Sequence, residues 1–188
     1  MIITIFGKKG SGKTTLSKEI MVNLGGRVVF LSPVENVNFE NTEIWDIADI
    51  EEKMEKMKPG EILVIKLAEV EAMEIVAMQA IYDGEGFTII IDEIERYKMS
   101  SELSSLIHYS RHFKVNLVCN TRRYTDVPRL LTSQSDLLYV AQTHEPRDIQ
   151  YLKDFMDPES VEAIKKLPQH TFLCYPEKTL RTTKNLNF

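Results

Sequence analysis

The run Gly7-Lys8-Lys9-Gly10-Ser11-Gly12-Lys13-Thr14 has the residue types and spacing of a phosphate cradle. Its glycines let the backbone curl until successive N–H groups point at phosphate oxygens. A helix starting at the end of the run adds the positive end of its dipole. Lys13 can reach the β and γ phosphates of a nucleotide, and the Thr14 hydroxyl can ligate Mg²⁺. The candidate nucleotide contacts are therefore Gly7, Lys8, Lys9, Gly10, Ser11, Gly12, Lys13, Thr14 and Thr15, with ATP and Mg²⁺ as the implied cofactors.

A second group lies at Phe87-Thr88-Ile89-Ile90-Ile91-Asp92-Glu93. An apolar strand would deliver Asp92 at its carboxyl end, where a carboxylate can hold the Mg²⁺ shell. Glu93 follows directly, and a carboxylate there can orient and deprotonate an attacking water. The competing reading of Glu93 is a solvated residue at a helix start; the phosphate cradle upstream favours catalysis.

Both groups need a scaffold of strands and helices. Ile2–Phe6, Arg27–Leu31, Ile62–Lys66, Phe87–Ile91, Val115–Cys119, Leu137–Ala141 and Thr171–Tyr175 read as strands. Several are apolar almost throughout, as strands covered on both faces are. Thr14–Leu24 reads as a helix stopped by Gly25-Gly26. Ile50, Met54 and Met57 mark a second helix. Val70, Met73, Ala77 and Ile81 mark a third, and Leu103, Leu106, Ile107 and Ser110 a fourth. Asp157-Pro158 reads as an N-cap followed by proline at the first helical position. This alternation predicts a three-layer α/β fold with a mostly parallel central sheet. Ligands then bind beyond the carboxyl ends of its strands. Residues 1–178 are expected to form one P-loop domain, and 179–188 a polar C-terminal tail.

The 188 residues are 43% apolar and 27% charged, ordinary for a globular chain and unlike a disordered one. No apolar run approaches the roughly 20 residues that span a bilayer. The early Gly7 and two lysines are unlike a secretory leader. Cys119 and Cys174 make neither a disulfide framework nor a zinc site, so a reducing, cytoplasmic setting is expected. The net charge of −5 is uneven: residues 35–95 carry 4 basic and 17 acidic groups, residues 96–188 carry 14 basic and 10 acidic. That pattern reads either as a solvated acidic face or as a protein whose basic edge meets a polyanion. His108, His112, His144 and His170 have no ligand spacing and read as surface or capping residues; the methionines read as core filler.

The P-loop with Asp92-Glu93 resembles P-loop ATPases of the additional-strand, catalytic-glutamate class, a RecA/ASCE-like fold. The stretch Arg111-His112-Phe113-Lys114-Val115-Asn116-Leu117-Val118-Cys119-Asn120-Thr121-Arg122-Arg123 is similar to the FtsK/HerA superfamily. There an Arg, a short turn, an apolar strand and a Thr-Gln-Arg-Pro-like end follow at this spacing. Asp126-Val127-Pro128-Arg129, Ser133-Gln134-Ser135-Asp136 and Thr143-His144-Glu145-Pro146-Arg147-Asp148 continue an order similar to viral and phage genome-packaging ATPases. The resemblance covers roughly residues 1–175.

The resemblance implies that the strand Val115–Cys119 lies between the P-loop strand and the strand bearing Asp92. It implies that Lys13 and Glu93 are catalytic, and that Arg111 is an arginine finger reaching a neighbouring subunit's site. It places the γ-phosphate sensor among Asn120, Thr121 and Arg122. The sequence departs from the pattern at Arg122, where the family usually has Gln, and at Tyr124, where it has Pro. It further implies a homo-oligomeric ring, a hexamer, that moves double-stranded DNA and meets a capsid or vertex protein in the host cytoplasm or virion. Lys98, Lys114, Arg122, Arg123 and Arg129 are then the candidate DNA contacts. Two other readings stay open: a nucleoside or nucleotide kinase, and a nucleotide-switched phage assembly protein resembling the zonula occludens toxin.

Overall fold

The computed structural model describes residues 1–32, 40–83 and 86–183. Among these, nine strands form one sheet: β1 (Ile2–Phe6), β2 (Arg27–Leu31), β3 (Thr42–Ile44), β4 (Ile62–Ile65), β5 (Phe87–Ile91), β6 (Asn116–Thr121), β7 (Leu137–Ala141), β8 (Thr171–Tyr175) and β9 (Thr179–Thr182). Their order across the sheet is β3-β4-β2-β5-β6-β1-β7-β8-β9. Pairing is parallel from β3 through β7; β8 and β9 add antiparallel. The helices are α1 (Lys13–Leu24), α2 (Ile50–Glu55), α3 (Val70–Asp83), α4 (Ser101–Tyr109), α5 (Arg129–Gln134), α6 (Pro146–Lys153) and α7 (Pro158–Ile164). This is the expected three-layer architecture. β6 lies between β5 and β1, as the resemblance implied.

The period-two alternation of side chains builds two separate cores. Ile3 and Ile5 of β1, Val28 and Phe30 of β2, Ile90 of β5 and Val118 of β6 pack on Leu16, Ile20 and Met21 of α1. Their sequence neighbours Ile2, Phe6, Val29, Leu31, Ile89, Ile91, Leu117 and Cys119 face the opposite core, shared with α2 through α7. Chain direction explains the division. The step from β1 to β2 crosses the sheet one way, and those from β4 to β5, β5 to β6 and β6 to β7 cross the other. Right-handed crossovers then put α1 on one face and α3, α4 and α5 on the other.

Four features went beyond the sequence reading. β3 is a short strand with two exposed residues, too polar to stand out; Lys66 reaches Glu43 at 3.6 Å across it. β6 runs two residues past Cys119 because Asn120 and Thr121 pair with Ile5 and Phe6. Helices α5 and α6 are short and largely polar, so periodicity did not mark them. Thr179–Thr182, expected to open the tail, is instead an exposed edge strand held by its ladder to β8. Residues 184–188 of that tail lie outside the described residues. The N-cap reading at Asp157 holds: its carboxylate accepts from the Ser160 N–H at 3.1 Å, with proline at the helix start.

Candidate functional site

The P-loop leaves the carboxyl end of β1 and turns directly into α1. Gly7 N–H donates to Thr121 O at 3.1 Å, fastening the loop to the end of β6. Ser11 N–H donates to Lys8 O at 3.2 Å and closes the turn. Gly12 is required twice over. Its φ is +94°, and a Cβ there would stand 2.7 Å from Thr183 Oγ1 and 3.2 Å from His170 Nδ1. The first N–H groups of α1 have no side-chain cap, which leaves donors and a positive dipole end for an anion. Lys8, Lys9 and Gly10 are exposed, and Thr14 and Thr15 are half-buried.

Lys13 is buried, and its ammonium donates to Gly7 O at 2.6 Å and Lys8 O at 3.2 Å. Burial pushes its pKa below the usual lysine value and Arg122 adds to this, while Asp92 and Glu95 oppose. An arriving phosphate would relieve that strain on the charged form.

Asp92, 8% exposed, ends β5 as expected and sits in a buried polar relay. Asn120 Nδ2 donates to Asp92 Oδ1 at 3.0 Å, and Ser32 Oγ donates to Asp92 Oδ2 at 3.4 Å. The Ser17 hydroxyl shares its single proton between Asn120 Oδ1 at 2.8 Å and Lys13 O at 2.9 Å. The relay therefore ties α1, β2, β5 and β6 together behind the phosphate loop. Two hard oxygen donors, the Asp92 carboxylate and the Thr14 hydroxyl, suit Mg²⁺. No cluster of three or more His, Cys, Asp or Glu able to hold a metal occurs among the described residues, so phosphate and water oxygens would complete such a shell.

Glu93 follows with φ 55° and ψ 58°, a left-handed conformation uncommon for a side chain of this size. Its carboxylate is not free: Arg96 holds one oxygen and Arg122 the other. The Arg122 backbone is itself anchored, with its N–H donating to Glu95 Oε1 at 3.3 Å.

The three sensor candidates separate cleanly. Asn120 is fully buried and spends its amide on Asp92 and Ser17. Thr121 is fully buried and donates to Arg123 O at 3.0 Å, bracing the turn. Arg122, 45% exposed, borders a cavity of about 270 Å³ together with Gly7, Lys8 and Arg123. Tyr124, at the family's proline position, stacks on Phe6 with ring centroids 3.8 Å apart and belongs to the core.

Arg111 is not part of this constellation. It lies before β6, at the amino end of the sheet, with 75% of its side chain exposed and an ion pair to Asp136. Asp136 also accepts the Ile2 N–H at 2.7 Å, at the other end of β1 from the P-loop. The length of β1 separates the two ends, about 16 Å. Lys114 lies at that same far end, beside Gly26, Arg27 and Gly86. Lys98, Arg123 and Arg129 are exposed in connections leaving the carboxyl ends of β5 and β6, with Arg129 paired to Asp154 at 3.2 Å. The five basic candidates thus divide between opposite ends of the sheet.

Sequence reasoning missed Ser17, Ser32, Glu95 and Arg96. Ser17 stands four residues after Lys13 and Arg96 three after Glu93, so helical spacing could have flagged them. Ser32 and Glu95 meet their partners only through the fold.

A family model described as an ATPase domain predominantly from Archaea matches residues 1–172. No curated protein matches. Among solved structures, the genome packaging NTPase B204 from Sulfolobus turreted icosahedral virus 2 in complex with sulfate is similar at a TM-score of 0.74 and 21% identity. That match covers 97% of this chain and 95% of that one. The same protein in complex with ATP-gammaS gives a TM-score of 0.73, with 97% and 96% covered. The N-terminal domain of zonular occludens toxin from Neisseria meningitidis is similar at a TM-score of 0.56 and 15% identity, covering 98% and 94%. These likenesses agree on the fold of this chain. With the family model spanning nearly its whole length, the chain belongs to the family of ATPase domains found predominantly in Archaea.

Proposed function

We propose that this chain hydrolyses ATP to ADP and phosphate as one subunit of a homo-oligomeric ring, a hexamer, that translocates double-stranded DNA into a viral capsid. The observation that carries the reading is the position of Arg111. An exposed guanidinium one sheet-length from its own P-loop supports a role in a neighbour's site rather than in its own. The similarity to a protein described as a genome packaging NTPase supports the choice of substrate. Lys13 and the α1 N-terminus bind the phosphates. Thr14 and Asp92 would hold Mg²⁺, which would supply charge neutralisation to the phosphates. Glu93 accepts the proton of the attacking water, and Arg111 of the next subunit neutralises charge on the phosphoryl group. Lys98, Arg123 and Arg129, at the nucleotide end, and Lys114, at the other, supply non-specific phosphate contacts to DNA. Such a motor works in the host cytoplasm, at a capsid or vertex protein. Among the described residues no helix is long and apolar enough to cross a membrane.

The test is steady-state ATP hydrolysis with and without linear double-stranded DNA across a salt series. Stimulation by DNA that fades as salt rises is expected. Slow hydrolysis indifferent to DNA would move the reading to a nucleotide-switched assembly protein. Phosphate transfer to a nucleoside acceptor would move it to a kinase.

A further inference from the structure

A nucleoside triphosphate has two ends, and strand order decides where each can lie. Asp92 ends β5 on one side of β1, and the turn before β8 lies on the other, in the order β5-β6-β1-β7-β8. A terminal phosphate on the Asp92 side of the phosphate loop sends the nucleoside toward β7 and β8. A cavity of about 300 Å³ lies there, lined by the loop from Lys8 to Ser11, by Gln142 just past β7 and by Pro168, Gln169 and His170. That volume is at the lower end for small-molecule sites.

The wall opposite the loop is fixed in place. Thr171 N–H donates to Pro168 O at 3.2 Å and closes a turn. His170, within that turn, has a φ of 62°, a left-handed value uncommon outside glycine. Its carbonyl accepts the Thr183 N–H at 2.9 Å and the Thr183 hydroxyl at 3.3 Å. Its imidazole lies against the phosphate loop, with Nδ1 3.2 Å from where a Cβ on Gly12 would stand. The antiparallel strands β8 and β9 thus brace one half-buried ring beside the loop.

The polar side chains around this cavity are poorly placed to tell one base from another. Discrimination takes buried donors and acceptors that a wrong base leaves unpaired. Gln142, Pro168, Gln169 and His170 are all at least partly exposed, and the Gln142 amide already donates to Lys165 O at 3.1 Å. Ser11 Oγ is buried without a partner among the described residues, but it belongs to the phosphate loop. A flat imidazole beside a proline offers a stacking surface instead, and every base has a π-face.

We propose that this cavity is the nucleoside subsite, where His170 and Pro168 stack on the base without reading its edge. The substrate class is then purine nucleoside triphosphates rather than ATP alone. His170 sets the affinity for the nucleoside and leaves that for the phosphates untouched. The subsite rests on the reading of the phosphate loop as a triphosphate site.

The experiment separates the two ends of the ligand. Titration calorimetry with Mg²⁺ is run with AMPPCP, GMPPCP and inorganic tripolyphosphate on wild type, His170→Asn and His170→Tyr. Asparagine tolerates a left-handed backbone and removes the ring; tyrosine restores one. Wild type is expected to bind AMPPCP and GMPPCP within about tenfold of each other, and tripolyphosphate more weakly than either. His170→Asn is expected to weaken both nucleotides about fivefold or more and to leave tripolyphosphate unchanged, and His170→Tyr to recover part of the loss. Equal weakening of tripolyphosphate would make His170 a brace of the loop and overturn the proposal. So would an AMPPCP affinity untouched by His170→Asn, or a preference for one purine above about tenfold. The expected pattern in a protein whose ATPase ignores DNA would keep the subsite and remove the translocase. DNA-stimulated turnover with nucleotide affinity indifferent to His170→Asn would remove the subsite alone. A wild-type protein that binds neither nucleotide nor tripolyphosphate would overturn both.

Discussion

Asn120 donates its amide to Asp92 at 3.0 Å from the neighbouring strand, while its carbonyl oxygen accepts the Ser17 hydroxyl at 2.8 Å. A side chain at a sensor position in the resemblance is thus employed to aim the candidate Mg²⁺ ligand. The polar atoms of Asn120 are matched inside a buried relay, and such relays are costly to break at one member.

Asn120→Ala should therefore act on stability and on metal use together. Leaving Asp92 and Ser17 short of a partner should cost about 1–3 kcal/mol by chemical denaturation. The Mg²⁺ concentration for half-maximal ATPase should rise, because Asp92 loses the group that orients it. A variant with unchanged stability and unchanged Mg²⁺ dependence would show that the relay orients nothing.

Lys13→Ala should abolish ATP turnover and weaken nucleotide binding, since the ammonium that faces Gly7 O and Lys8 O is the buried positive charge of the loop. Fluorescent nucleotide titration checks it. Retained tight binding would place the phosphates elsewhere.

Glu93→Gln should bind ATP but hydrolyse it at least about a hundredfold more slowly, the usual contribution of a general base. Single-turnover kinetics separate binding from chemistry. Normal turnover would remove the base assignment.

Arg111→Ala mixed with Glu93→Gln should regain some activity. Interfaces that pair an intact Glu93 with an intact Arg111 are rebuilt only when the finger acts between subunits. The ATPase rate of mixtures, with exchange verified by labelled subunits, is the measurement. No recovery after proven exchange would count against an arginine acting in trans.

Asp157 gives a pH-dependent prediction. The Ser160 N–H, the Ser160 hydroxyl and Lys178 hold its pKa down to about 2, below the usual carboxylate range. A depressed carboxylate stabilises the fold above its unfolded pKa and loses that contribution as pH falls through the folded one. The stability gap between wild type and Asp157→Ala should be level above about pH 5 and narrow from there toward pH 2. A gap independent of pH in urea melts would mean that the carboxylate charge is irrelevant to the cap.

The phosphate loop, Asp92 and Glu93, and most of the strands that carry them were legible in the sequence, because each is a local pattern. Gly7 to Thr14 is one contiguous motif, and Phe87 to Ile91 is one apolar run ending on a carboxylate. Such patterns report backbone geometry and burial that hold wherever the segment is placed. The polar edges were not legible. Thr42–Ile44 and Thr179–Thr182 become strands only because β4 and β8 offer them ladders. The division of labour among Asn120, Thr121 and Arg122 could not be read either, since their partners Asp92 and Glu93 follow a different strand. Only the packed sheet decides which of them meets Asp92 and which meets Glu93. The pairing of Arg122 with Glu93, and the stationing of Arg111 at the far end of β1, join residues 29 and 25 positions from their partners. Contacts at that separation are set by strand order and register, which no short stretch of sequence carries.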